Sequence, residues 1–247
     1  MHNRLQADAF IPAGGRPSTI DIHNYRNFLV DGKPSSKLIV EGANLFVTGE
    51  AREALFQEAG VMIVKDSSAN KCGVITSSYE ICAAMLLSDD EFYANKEQIV
   101  NEILVKLRTL ANMEAKLLFR EFDSYKGENN KSFSRCYDIK PHVLRFLSKG
   151  SLPFMSQVIS DAINTVTDTL TETLNDLSQD EITDLLPLFR DHLPKTLADL
   201  AFHRVNDNVP DQYIKNAIAS CMASKIVYKG MLSFVILQMD VEIKHII

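Results

Sequence analysis

The sequence predicts an α/β fold in which a partial parallel sheet is followed by an all-α C-terminal region. Three observations predict it. Leu38-Ile39-Val40, the helical stretch Gly49 to Glu58, and Val61-Met62-Ile63-Val64 follow one another with short links. Strand, helix, strand in that arrangement is a βαβ unit, which implies parallel strands and a right-handed crossover. Beyond Ser88 the apolar residues recur at helical spacing, and from Pro141 onward no strand pattern stands out.

Taken in order, Ala7–Ile11 reads as a strand that stops at Pro12, and Ala13-Gly14-Gly15-Arg16-Pro17 is a loop. Adjacent glycines let the backbone turn, or let it pass close to something flat. A helix is expected over Thr19–Leu29, then a surface turn over Asp31–Ser36. The second strand is Leu38–Glu41. Thr48 suits the cap of the helix Gly49–Glu58, with Glu50 and Glu53 in its first turns and Gly60 at its end. The third strand is Val61–Lys65. Val74–Leu87 is a mostly apolar helix.

Ser88-Asp89-Asp90-Glu91 is a capping box for a long helix whose stripe is Ile99, Ile103, Leu107, Leu110 and Leu117. A polar loop is expected over Asp123–Ser134. Val158, Ile159, Ala162, Ile163, Val166, Leu170, Leu174 and Leu177 form one helical face, and Ser178-Gln179-Asp180-Glu181 is a second capping box. Pro194 and Pro210 suit the starts of two further helices. The composition shift at Ser88 marks the expected boundary: an α/β part over 1–88 and a helical part over 89–247.

Composition excludes several functions. An apolar fraction of 46% with 23% charged residues permits a sizeable core. The net charge of −6, with no basic block, disfavours nucleic acid. The four cysteines (Cys72, Cys82, Cys136 and Cys221) form no C-x-x-C pair, which argues against zinc and against a disulfide framework and fits a reducing compartment. No signal peptide is visible at Met1–Ala7, and Met231–Leu237 falls far short of the ~20 apolar residues that span a bilayer. Among ten glycines no two are separated by a single residue, so the G-x-G-x-x-G and Walker loops are absent. The six histidines include no pair at ligand spacing, and no G-x-S-x-G occurs. The residues show no catalytic acid, base, nucleophile or metal site.

What remains is a polar rim. Val61–Val64 runs into Lys65-Asp66-Ser67-Ser68-Ala69-Asn70-Lys71-Cys72-Gly73, and Leu38–Val40 runs into Glu41-Gly42-Ala43-Asn44. In open α/β sheets, ligands bind beyond the carboxyl ends of the strands. The positive end of a helix beginning near Gly73 adds a preference for anions. Alone, these features describe a ligand-binding α/β fragment.

The motifs carry a resemblance. A-D-A-F-I-P-A-G-G-R-P from Ala7, I-V-E-G-A-N-L-F-V-T from Ile39, K-D-S-S-A-N-K-C-G-V from Lys65 and S-S-Y-E from Ser77 resemble, in order and spacing, the C-terminal half of the NAD-dependent glutamate dehydrogenases. The similarity is to their large-subunit class, and it spans the first third of the chain most strongly. It implies a Rossmann-type sheet whose C-terminal half lies in 1–88, NAD as cofactor, and oxidative deamination of L-glutamate to 2-oxoglutarate and ammonia.

The resemblance also implies site residues. Ser77 matches a serine on the distal carboxylate of glutamate. Asn70 matches an asparagine near the nicotinamide and the reacting carbon, and Val74 an apolar wall of the substrate pocket. Asn44 matches a residue at the nicotinamide ribose, and Pro12, Ala13 and Gly14 a strand exit along the cofactor. Lys71 and Cys72 depart from the small residues of the hexameric enzymes. The family's catalytic lysine and aspartate belong to an N-terminal substrate domain absent here, so no catalytic residue is expected in this chain. It looks like the C-terminal part of a longer protein, inactive alone and a homo-oligomer when complete. It would be cytoplasmic or mitochondrial, with no nucleic-acid or membrane partner.

Other readings stay open. Asn44 and Asn70 also suit turn capping, and Ser77 also suits a bond back to a helix carbonyl. The chain also suits a non-catalytic remnant or interaction subunit, or a dehydrogenase of another amino acid. Gly230–Ile247 shows no recognisable family counterpart.

Overall fold

A computed structural model describes residues 5–127 and 155–228. The expected loop beyond residue 127 and the segment Gly230–Ile247 lie outside the described residues. The described chain divides into two compact units, one holding residues 5–71, 116–127 and 155–160, the other 72–115 and 161–228.

The first unit carries the sheet. Strands β1 (Ala9–Phe10), β4 (Leu38–Val40) and β5 (Met62–Val64) lie in the order β1-β4-β5, all parallel, with Phe10 opposite Ile39 and Ile39 opposite Ile63. The expected parallel sheet is present, with β1 shorter than Ala7–Ile11. The crossover between β4 and β5 is helix α1 (Gly49–Ala59). The Thr48 hydroxyl accepts the Ala51 N–H at 3.3 Å, and Gly60, at φ 63°, closes the helix in the left-handed conformation that glycine adopts without strain.

The expected helix over Thr19–Leu29 does not form; a single 3₁₀ turn covers Tyr25–Phe28. Asp21 Oδ1 accepts the backbone N–H groups of His23 and Asn24, and Asn24 Oδ1 accepts that of Asp21. These short side chains offer the backbone a local alternative to helix. The expected surface turn is a hairpin, β2 (Leu29–Val30) against β3 (Lys33–Pro34). Asp31 and Gly32 both have positive φ, which matches the twist of a two-residue hairpin. The core packs Ile20, Phe28, Phe46 and Val47 against Ile39, Leu55, Val61 and Ile63.

The second unit holds α3 (Cys72–Leu86) and most of α4 (Asp89–Gly127), whose residues 116–127 belong to the first. Helix α4 stays helical through the start of the loop expected from Asp123. Of its stripe, Ile99, Ile103 and Leu107 enter the helical core. Helices α5 (Met155–Asn175), α6 (Gln179–His192), α7 (Lys195–Ala201), α8 (Val205–Asn208) and α9 (Asp211–Tyr228) complete the described chain. Both capping boxes are made: Ser88 and Glu91 exchange bonds, as do Ser178 and Glu181. Glu102, on α4, accepts the backbone N–H of Thr196 at 2.8 Å and its hydroxyl at 2.7 Å, which satisfies a donor at the start of α7.

Candidate functional site

The exits of the three parallel strands are tied together by backbone. Ala43 N–H donates to Pro12 O at 2.7 Å, and Glu41 N–H to Val64 O at 2.9 Å. Gly42 allows the first of these approaches, since a Cβ there would stand 3.2 Å from Pro12 O. Pro12 is buried, whereas Ala13 and Gly14 are exposed. A Cβ on Gly14 would meet nothing within 4 Å, so its backbone is open to a ligand. Of the adjacent pair, Gly15 is the one the fold requires. Its φ is +125°, and a Cβ would press on the Phe46 ring at 2.9 Å.

Asn44 and Asn70, one beyond each of β4 and β5, meet directly: the Asn70 carboxamide N–H donates to Asn44 Oδ1. Asn44 is exposed and Asn70 half-buried. Leu45, next to Asn44, sits at φ +52°, an uncommon conformation for a residue with a Cβ. Its N–H donates to Asp66 Oδ2 at 2.8 Å, and its carbonyl accepts the Ser18 N–H at 2.7 Å.

Beneath the asparagines lies a buried charge cluster. Glu41 is fully buried, and Arg52 and Asp66 nearly so. Glu41 Oε1 accepts the Val47 N–H at 2.6 Å, Oε2 accepts the Asp66 N–H at 3.3 Å, and Arg52 Nη2 lies 3.7 Å from Oε2. Arg52 also donates to Val47 O at 3.1 Å. Asp66 pairs with Lys65 and accepts the Ser67 N–H. Burial raises the Glu41 carboxyl above its ordinary range, against the opposing pull of the Val47 N–H and Arg52. Burial also pushes Asp66 up, but the Lys65 ammonium and the Leu45 N–H outweigh it and the net shift is downward. Asp66 opens the short helix α2 (Asp66–Ala69), and its carbonyl accepts the Asn70 N–H at 3.0 Å.

Val74 and Ser77 belong to the second unit, one turn apart on α3. Val74 is 78% exposed, large for an apolar side chain in a helix. Ser77 is exposed, and its hydroxyl donates to Gly73 O at 3.1 Å. Further along α3, Tyr79 is buried with its ring 5.2 Å from that of His192, and burial pushes its hydroxyl up to about 12.

The Glutamate/Leucine/Phenylalanine/Valine dehydrogenase family matches residues 2–138, more than half of the 247-residue chain. The chain belongs to that family. Similar proteins include the probable NAD-specific glutamate dehydrogenase of Schizosaccharomyces pombe, 29% identical over 247 residues that cover 94% of this chain and 20% of the relative. The NAD-specific glutamate dehydrogenase of Saccharomyces cerevisiae is 31% identical over 238 residues, covering 90% and 20%. Glutamate dehydrogenase 2 of Dictyostelium discoideum is 29% identical over 236 residues, again 90% and 20%. The chain thus spans about a fifth of the length of the curated relatives it matches. No solved structure matches it.

The family resemblance read from the motifs is therefore borne out, and so is the partial parallel sheet followed by helices. In this dehydrogenase-family chain, the fold brings together Asn44 with Asn70, and Pro12 with the strand exit at Ala43. Sequence reasoning missed the cluster beneath them. Glu41 reads as part of a polar exit and Asp66 as a turn residue, but both are buried ligands of backbone N–H groups. Arg52 carried a usable signal: it lies on α1 between Ala51 and Leu55, both fully buried, where a surface helix shows apolar residues. Among the described residues, no helix is long and apolar enough to cross a membrane, and no group of three or more His, Cys, Asp or Glu could hold a metal ion.

Proposed function

We propose that this chain supplies the cofactor- and substrate-facing rim of an NAD-dependent glutamate dehydrogenase. The observation that carries this reading is the Asn44–Asn70 pair at two adjacent strand exits in a chain of this family. The names of the relatives support NAD and glutamate. The rim residues fit a dinucleotide. Two carboxamides and the open backbone at Ala13–Gly14 offer polar contacts, while the carboxylates of Glu41 and Asp66 are buried and engaged and leave little negative charge to repel phosphate.

Bound NAD would supply the hydride acceptor for oxidation of the glutamate α-carbon to an imine, which water would hydrolyse to 2-oxoglutarate and ammonia. The chain's own residues bind and orient. Asn44 would hold the ribose side of the cofactor, and Pro12, Ala13 and Gly14 would lie along it. Asn70 sits toward the reacting carbon. Val74 walls the substrate, and Ser77 bonds its distal carboxylate, giving up its bond to Gly73 O. Residues 1–88 form half of a Rossmann-type domain and 89–247 a helical domain. The acid and base groups come from a substrate domain outside this chain, in a homo-oligomer in the cytoplasm or mitochondrion. The family's own description also admits leucine, phenylalanine and valine as substrates. The Ser77 hydroxyl favours a dicarboxylate, since an apolar substrate has no use for it.

The test is steady-state kinetics on the longest natural polypeptide that carries this chain. It should reduce NAD with L-glutamate and not with leucine, while residues 1–247 alone should not. A charge-assisted hydrogen bond is worth about 1.5–3 kcal/mol, so Ser77→Ala should lower kcat/KM for glutamate roughly 10- to 150-fold and leave the KM for NAD nearly unchanged. Asn44→Ala should show the opposite bias. Absence of NAD reduction with all four family amino acids would favour an inert remnant or interaction subunit. Intact glutamate kinetics in Ser77→Ala would leave that residue as a helix serine bonded to Gly73.

A further inference from the structure

We propose that Asp66, seated by Glu41, is the positioning residue that holds the two rim asparagines against each other. The functional consequence rests on the dehydrogenase reading; the brace itself does not. Asp66 is bonded to both asparagine-bearing segments. Its carboxylate Oδ2 takes the N–H of Leu45, the residue that follows Asn44, and its carbonyl takes the N–H of Asn70 itself. Its own N–H is held by Glu41 Oε2, while Glu41 Oε1 takes the Val47 N–H on the far side of the Asn44 loop. Two carboxylates thus gather four backbone N–H groups, those of Leu45, Val47, Asp66 and Ser67, from two strand exits.

Leu45 makes the brace matter. Its left-handed backbone is disfavoured for a side chain with a Cβ and persists only where the surroundings determine it. Its peptide groups are gripped from both sides, the N–H by Asp66 and the carbonyl by the Ser18 N–H. The peptide whose N–H Asp66 holds joins Asn44 to Leu45, so its orientation sets where the Asn44 carboxamide points. Without the Asp66 carboxylate, Leu45 relaxes toward ordinary backbone and Asn44 leaves Asn70. Lys65 pairs with the other oxygen of Asp66, and Arg52 with Glu41, so neither carboxyl group faces the rim uncompensated.

The test has two arms. In the first, the isotope-labelled 247-residue chain is examined by NMR for through-space contact between the Asn44 and Asn70 side-chain amides. Asp66→Ala should abolish the contact and move the Leu45 amide signal, with the core signals of Ile39 and Leu55 in place. Asp66→Asn should keep the contact, because its carboxamide oxygen still accepts from Leu45. If Asp66→Ala does not fold, Asp66→Ser serves: it can still bond its own helix start but is too short to reach Leu45. Contact retained in a folded Asp66→Ala or Asp66→Ser overturns the brace.

In the second arm, kinetics on the longest natural polypeptide should show the KM for NAD raised about tenfold or more in Asp66→Ala and restored to within about threefold by Asp66→Asn. A purely structural lesion would lower kcat through the active fraction and leave KM alone. Lost contact with an unchanged KM for NAD overturns the functional consequence. A wild-type polypeptide that does not reduce NAD overturns the dehydrogenase reading, and the brace is then decided by the first arm.

Discussion

The two units bury different things. Around its sheet, the first unit packs a cluster of eleven buried apolar side chains and places Glu41, Arg52 and Asp66 beside it, all nearly or fully excluded from water. Among the described residues, the second packs twenty-four buried apolar side chains and one buried carboxylate, Glu114, which accepts the Tyr228 hydroxyl at 2.7 Å, while the ion pairs of Arg190 and Lys195 with Asp199 and of Arg204 with Glu91 keep their side chains substantially exposed. The difference follows from the backbone. Helices satisfy their own N–H and C=O groups apart from their ends, so their core needs few polar groups beyond those at helix starts. Strand exits do not. Leu45, Val47 and Asp66 present N–H groups with no sheet partner, and buried backbone donors must be paired. Carboxylates do this, and Arg52 compensates them.

The comparison is broken most directly at Arg52. Arg52→Leu leaves Glu41 buried without its cation and beside Asp66, and removing one partner of a buried pair costs about 3–5 kcal/mol. Hydrogen exchange should therefore quicken at Ile39 and Leu55 and remain slow at Leu174 and Ile218. Equal quickening in both units would show that the charge cluster supports the whole chain and not the sheet alone.

A smaller effect is expected from the group that titrates within the helical core. His192 stacks against Tyr79 and Phe189, and burial, with Lys106 and Lys225 nearby, lowers it to about 4. Below its ordinary 6.5, the unfolded chain takes up a proton that the folded chain refuses. This group's stability contribution is therefore complete above pH 6.5 and is lost as pH falls toward 4. The loss is on the order of 2 kcal/mol, after a discount for the ring's residual contact with water. His192→Gln should flatten the urea midpoint of the second unit between pH 6.5 and 5. Glu91, held down to about 2 by Arg204 first and then by Ser88, acts only below that window. An unaltered pH slope in the variant would assign the dependence to other groups.

The smallest effect tests how little the helical unit depends on any one polar contact. Ser178 and Glu181 make a complete capping box at the start of α6, and Ser178→Ala should cost about 1 kcal/mol. Thermal unfolding should show a slight fall in the second unit's midpoint and no change in exchange at Ile39.

The sequence by itself determined the features that depend on neighbours along the chain. The parallel strands at Leu38 and Met62, the Thr48 cap, the Gly60 terminus, the two capping boxes and the stripe Ile99–Leu107 all follow from local pattern. The motif order was likewise enough to identify the family. The helix expected over Thr19–Leu29 gives way to the competing local bonds of Asp21 and Asn24, which act over two to five residues. Only the tertiary structure decided the rim. Asn44 and Asn70 are 26 positions apart, and their contact depends on β4 and β5 lying side by side. Glu41 becomes a buried ligand only when Val47, Arg52 and Asp66 converge on it. A charged residue looks the same in sequence whether water or a backbone N–H completes its shell, and the fold makes that choice.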